Sequence, residues 1–254
     1  MKKRMIGLAL LIVIMLVIGG IYMAIGRAPQ IITVDGYVGG EKIELLEDEE
    51  VQAILEEDYG VKADYSRAGS LDMMTADMDG MDYLFPSSSI AEEYYEDLHG
   101  SPEQSEIVLN TPIVLYTHQA VLDAFDSQGL ITSSGNSYYI DMTKLVELIR
   151  NDTSWADIGL PELYGNISVD TTDPARSNSG NMFAALLANV LNGGQTLTQE
   201  NLQTILPQLQ DIFGKLGYME TSSSDLFSQF LRMGIGAKPV IAGYESQLIE
   251  YAAL

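Results

Sequence analysis

The 254-residue chain carries 36 acidic and 13 basic side chains, a formal charge of −23, and no cysteine. That balance has the wrong sign for a nucleic-acid partner, whose phosphates call for a basic footprint. The missing cysteines exclude disulfides, thiolate metal sites, cysteine nucleophiles and lipid attachment through an N-terminal Cys.

The charge is uneven: Lys2, Lys3, Arg4 and Arg27 are the only charged side chains among the first thirty residues, which leaves nine basic against 36 acidic side chains beyond them. Residues 5–25 form an uncharged apolar run. At about 1.5 Å per residue it is long enough to cross a hydrocarbon core of roughly 30 Å as a transmembrane helix. The cations ahead of it predict that its start stays cytoplasmic and the remainder is exported. Ala24 and Gly26 are small residues two apart, so a cleaved signal peptide is the competing reading. Residues 1–30 are therefore an anchor or a signal segment, and the rest is extracellular, either on a single-pass tether or secreted.

The exported part opens with a strand over 31–35, a glycine-containing loop over 36–40, an acidic helix and a second strand over 61–66. The helix rests on Ile43, Leu46, Val51, Ile54 and Leu55 at near-helical spacing. This βαβ order predicts a parallel sheet with its ligand side at the C-terminal strand ends. "MDYLFPSSS" reads as a third short strand followed by the helix "IAEEYYEDLHG". Further on come the strand "NTPIVLYT", the helices "QAVLDAFDSQGL" and "MTKLVELIRN", and a strand "GNISVDTTDP". After the segment "ARSNSGN" and its helix, the chain continues with a helix interrupted at Pro207, the helix "SSDLFSQFLRMG", the strand "KPVIAGYES" and a short tail. The serine-rich stretches 133–137 and 222–224 read as polar turns.

"TTDPARSNSGNMFAALLANVL", residues 171–191, carries the strongest functional signal. Asp173-Pro174 stops a strand. Ser177, Asn178 and Ser179 are helix-capping types, and Gly180 admits a close approach to the backbone. The first turn of the helix then offers unpaired N–H donors and partial positive charge to a polar or anionic ligand. Hydroxyls recur at two other strand ends, Ser70 in "RAGS" and Ser87 to Ser89 in "FPSSS", while Gly39 and Gly40 occupy the first strand-to-helix turn.

Catalytic and metal signals are thin. "SNSGN" has Ser177 where a nucleophile elbow wants Gly, and the two histidines, His99 and His118, stand at element ends. The run Asp77 to Asp82 has its glycine at the fourth place of a calcium loop, where the sixth is required. An exported hydrolase using Ser179 would need a base that the sequence does not present. No cofactor or metal is implied.

With these segments in view, the chain from about Ile31 onward resembles the bacterial extracellular solute-binding proteins of the type 2 periplasmic-binding fold, the group that includes the molybdate and sulfate binders. "TTDPARSNSGN" is similar to their D-P-x-x-S-x-S-G helix start. "NTPIVLYT" and "KPVIAGYES" resemble the strands that cross between their lobes. The resemblance implies an α/β fold of two lobes with parallel-rich sheets: a first lobe over 31–114, a second over 115–238, and a return strand over 239–254 that leaves the first lobe C-terminally short. It implies Gly40, Ser70 and Ser88 as first-lobe contacts, Ser177, Ser179 and Gly180 as second-lobe contacts, and Tyr244 beside the hinge. The implied function is capture of a small polar or anionic solute, without bond breaking, for an ABC permease. An extracellular sensor or adhesion ectodomain with the same fold is the alternative. Where the oxyanion binders carry a hydroxyl run, this chain has "GYVGGEK", so the resemblance does not specify molybdate or sulfate.

Overall fold

A computed structural model describes residues 31–195 and 197–253. The apolar segment 5–25 lies outside them, and among the described residues no helix is long and apolar enough to cross a membrane. The fold is mixed α/β. Its described residues divide into two compact units, one of residues 31–34 and 45–64, the other of residues 35–44 and 65–253.

In the smaller unit helix α2 (Glu49–Tyr59) starts at Asp48, whose carboxylate accepts from the N–H groups of Glu50 and Val51, and stops at Gly60 with φ 66°, a left-handed cap that suits glycine. Asp48 also breaks the acidic helix read from the sequence, since a separate short helix, α1 (Ile43–Glu47), precedes it. No described side chain of this unit is fully buried. Strands β1 (Ile32–Val38) and β2 (Val61–Arg67) run from this unit into the larger one. With β3 (Tyr83–Phe85) they form a sheet in the order β2-β1-β3, with β1 and β3 parallel and Gly36 paired to Tyr83. The expected loop at Gly36 is thus strand, and the turn begins only after Val38. A Cβ at Gly36 would collide with Tyr83.

The larger unit holds the remaining elements: α3 (Ser89–His99), β4 (Ile113–Thr117), α4 (Gln119–Ser127), β5 (Ile131–Ser134), β6 (Ser137–Ile140), α5 (Met142–Arg150), α6 (Asn178–Leu191), α7 (Gln199–Gly214), α8 (Ser223–Met233), β7 (Val240–Tyr244) and α9 (Glu245–Ala253). β4 and β7 pair antiparallel from Ile113–Tyr244 to Thr117–Val240. The stretch expected to be a polar turn around Ser133 is the hairpin β5-β6, turned at Gly135 with φ 61°. The main core lies against α5 and α6: Phe125, Leu145, Trp155, Phe183 and Leu187 are each at most 1% exposed, and the Phe125 and Trp155 rings stand 6.0 Å apart. A second cluster joins Tyr116, Leu226, Phe227, Phe230 and Ile241, fixing α8 on the β4-β7 pair.

Two expectations give way here. Residues 165–174 make single bridges and no strand: the N–H of Ile167 goes to the Thr153 carbonyl, while Asp170 pairs with β7 through the Val240 carbonyl and the Ala242 N–H. Split between two neighbours and closed off by Pro174, the segment cannot extend a ladder. Pro207 does not interrupt its helix, because α7 runs through it. Ile205 and Ile212, buried on either side of the proline, keep one face anchored, and packing of that face outweighs the lost backbone bond.

Candidate functional site

The ends of β1, β2, β3 and β7 and the starts of α6 and α8 meet, within the larger unit, around a hollow of about 210 Å³. Gly39, Gly40 and Glu41 come from β1, Arg67 to Ser70 and Asp72 from β2, Ser87 from β3, Arg176 to Asn178 from α6, Thr221 and Ser222 from α8, and Tyr244 from β7. Glycines stand at the closest approaches, and at Gly69 the neighbour is backbone that a Cβ could not displace cheaply. A Cβ on Gly40 would stand 2.7 Å from the Ser222 hydroxyl and 2.8 Å from that of Ser224, and one on Gly69 would strike the Arg176 carbonyl.

A hydrogen-bond chain runs along the wall. The Ser87 N–H donates to the Ser70 hydroxyl at 3.0 Å. The Asn178 amide donates to the Ser87 carbonyl at 3.2 Å and to the Tyr244 hydroxyl at 2.9 Å, and its oxygen accepts from Ser88 at 2.5 Å. The Ser87 hydroxyl donates to Glu41, and Lys42 Nζ lies 2.7 Å from Ser87 Oγ and 2.5 Å from Glu41 Oε1. Burial alone would raise the Glu41 pKa, but the charge of Lys42 and hydrogen bonds from Lys42 and Ser87 hold it below its ordinary value of 4.5. Glu41 is therefore a carboxylate at neutral pH. Burial, reinforced by the Glu41 charge, pushes the Tyr244 phenol up, so it stays protonated.

Two exposed ion pairs involve the rim with opposite polarity. Arg67 reaches Asp225 at 2.5 Å, and Arg176 reaches Asp72 at 3.1 Å. The helix starts differ in their capping, and those of α3 and α4, at Ser88 and His118, have no side-chain cap. α2, α5 and α7, away from the hollow, are capped by the side chains of Asp48, Asp141 and Thr198. The Ser177 and Ser222 hydroxyls, at the starts of α6 and α8, make no such cap. First-turn N–H groups there are left without a side-chain acceptor.

Of the seven residues singled out from the sequence, Gly40, Ser70, Ser177 and Tyr244 line the hollow. Ser88 stands one residue behind the lining Ser87 and is bonded to Asn178. Ser179 faces the Thr172 hydroxyl at 2.7 Å and the Ser177 hydroxyl at 3.2 Å. Gly180 packs its Cα face on the Thr172 backbone, where a Cβ would clash with the carbonyl. All seven thus belong to the same neighbourhood, four as wall and three as its backing. Sequence reasoning passed over Glu41, Arg67, Asp72, Arg176 and Ser222 as site residues, and within the hydroxyl run 87–89 it selected Ser88 where Ser87 lines the hollow. For Ser222 a signal existed, since "TSSSD" is the same kind of hydroxyl-rich helix start as "SNSGN". The histidines are elsewhere engaged, His99 Nε2 with the Met74 carbonyl and His118 Nε2 with the Lys238 carbonyl.

No protein-family model matches the chain, and no curated protein matches it.

Proposed function

We propose that the chain is an exported solute-binding protein that takes up a small polar solute in this hollow and delivers it to an ABC permease, with residues 5–25 as its membrane tether. The reading assigns it a two-lobe, type 2 periplasmic-binding architecture with lobes over 31–114 and 115–238, in which the antiparallel pair β4-β7 is the hinge.

One observation carries it: strand ends and helix starts from six places in the sequence converge on a single polar hollow, where the first turns of α6 and α8 have no side-chain cap. Free donors of that kind are matched by a ligand's acceptors. The volume suits a solute of a few heavy atoms, since it falls below the roughly 300–1,000 Å³ of pockets for drug-sized ligands. Reversible binding fits the surroundings of Ser179, whose partners are hydroxyls and not a base.

The test is thermal unfolding of the full chain in detergent, scanned against inorganic oxyanions, amino acids and sugars. A true ligand at about 100 times its Kd adds about 2.7 kcal/mol to stability, which raises the midpoint measurably. Absence of any shift at millimolar concentration across the panel overturns the reading.

A further inference from the structure

Building on the solute-binding reading, we infer that the solute is dipolar: a small molecule with an ammonium or comparable donor group against Glu41 and a carboxylate or comparable acceptor toward Arg176 and the start of α6, of which an amino acid is the simplest form. The charged side chains in the wall are two acids, Glu41 and Asp72, and two bases, Arg67 and Arg176. A hollow meant for a bare oxyanion gains nothing from a carboxylate in its lining, because a like charge at contact distance opposes binding and is poorly screened where water is scarce.

Glu41 is not an incidental surface acid. Its side chain is only 14% exposed, and the Lys42 side chain behind it only 8%. Lys42 is committed to Glu41 and Ser87 and lies 5.0 Å from the centre of the Phe85 ring. It is absent from the lining of the hollow, whereas Glu41 is part of it. The ion pair therefore turns its acidic member toward the solute. Around it the Ser70 and Ser87 hydroxyls and the Tyr244 phenol supply neutral groups.

Arg176 makes the other half of the complement. Its side chain is 53% exposed, and Nε and Nη2 both address one oxygen of Asp72. A guanidinium carries five N–H donors in a planar fork, so several remain for a second carboxylate. Ser177 and Asn178 follow it directly at the start of α6, and the Asn178 amide is bonded to the carbonyl of Ser87, whose hydroxyl holds Glu41. Acid and base sides of the hollow are thereby tied together by one short run of hydrogen bonds.

The experiment is calorimetric titration of the full chain in detergent with the twenty protein amino acids and glycine betaine, with sulfate, phosphate and molybdate, and with glucose and glycerol. Saturable binding of at least one dipolar solute is expected. Its analogue lacking the amino group should bind at least tenfold more weakly, and Glu41→Gln should reduce that discrimination while Glu41→Asp retains it. Wild-type binding of an oxyanion or a neutral sugar in place of every dipolar solute overturns this inference and leaves the solute-binding reading standing. No binding by any member overturns both. Because the decisive comparison uses the wild-type chain, a variant that fails to fold does not remove the test.

Discussion

Asn178 shows how one side chain can organise the site. Its amide joins the loop after β3, the end of β7 and the start of α6, so the wall depends on a residue that reads in the sequence as a helix-start asparagine. Gly180, two positions on, lets α6 rest on the Thr172 backbone. Replacing it by Ala sets two effects against each other. Helix propensity favours Ala by about 1 kcal/mol, while a Cβ driven into a backbone carbonyl costs about 1–3 kcal/mol as overpacking. The clash should win, because the carbonyl belongs to a segment held by β7 and by Glu220. Gly180→Ala is expected to lower the chemical-denaturation midpoint, and an unchanged or higher midpoint would show that α6 can retreat. The serines show why site residues are only partly legible. That "FPSSS" meets the site could be read from its place after a strand, but whether Ser87 or Ser88 points inward depends on the twist of a run without hydrophobic alternation. Glu41 was illegible for another reason: among 36 acids nothing local marks the one that folding buries against a lysine.

At the scale of elements, most helices and strands were legible because their apolar spacing is strong, as in α5 with Leu145, Val146 and Ile149 buried. Segments fixed by tertiary partners were not, and residues 165–174 are the clearest case. The C-terminal helix α9 carries a testable consequence of its placement. Glu250 has its pKa raised by partial burial, by the charge of Glu44 in α1 and by a hydrogen bond between the two carboxyl groups. A carboxyl whose folded pKa exceeds its unfolded value stabilises the fold fully below the unfolded value, and that contribution is lost as pH rises through the folded pKa. Glu41 has the opposite sign: its lowered pKa contributes stability above 4.5 that is lost as pH falls through its folded value. Glu250→Gln isolates the first effect. It should raise the thermal midpoint at pH 7.5 and narrow the difference between pH 5 and pH 7.5 relative to the parent chain, and an equal shift at both pH values would place the effect in packing instead.

Over the whole molecule the excess of acid is the dominant electrostatic fact, with nine basic against 36 acidic side chains from residue 31 onward. Self-repulsion of that size opposes the compact state. The rim pairs Arg67–Asp225 and Arg176–Asp72 pull the other way, but their side chains are 37–53% exposed, and such pairs contribute about 0–1 kcal/mol each. Raising ionic strength weakens both terms. The screening length falls from about 30 Å at 0.01 M to about 8 Å at 0.15 M, so the many long-range repulsions lose far more than the few contacts do. Sodium chloride over that range should therefore raise the unfolding midpoint of the full chain, whereas a fall would mean that local ion pairs dominate. Matching the ionic strength with sodium sulfate separates a second effect. Screening alone gives similar gains for the two salts, while an oxyanion held by the α6 and α8 starts adds a saturable increment in sulfate only. With Glu41 in the wall, the two curves are expected to coincide.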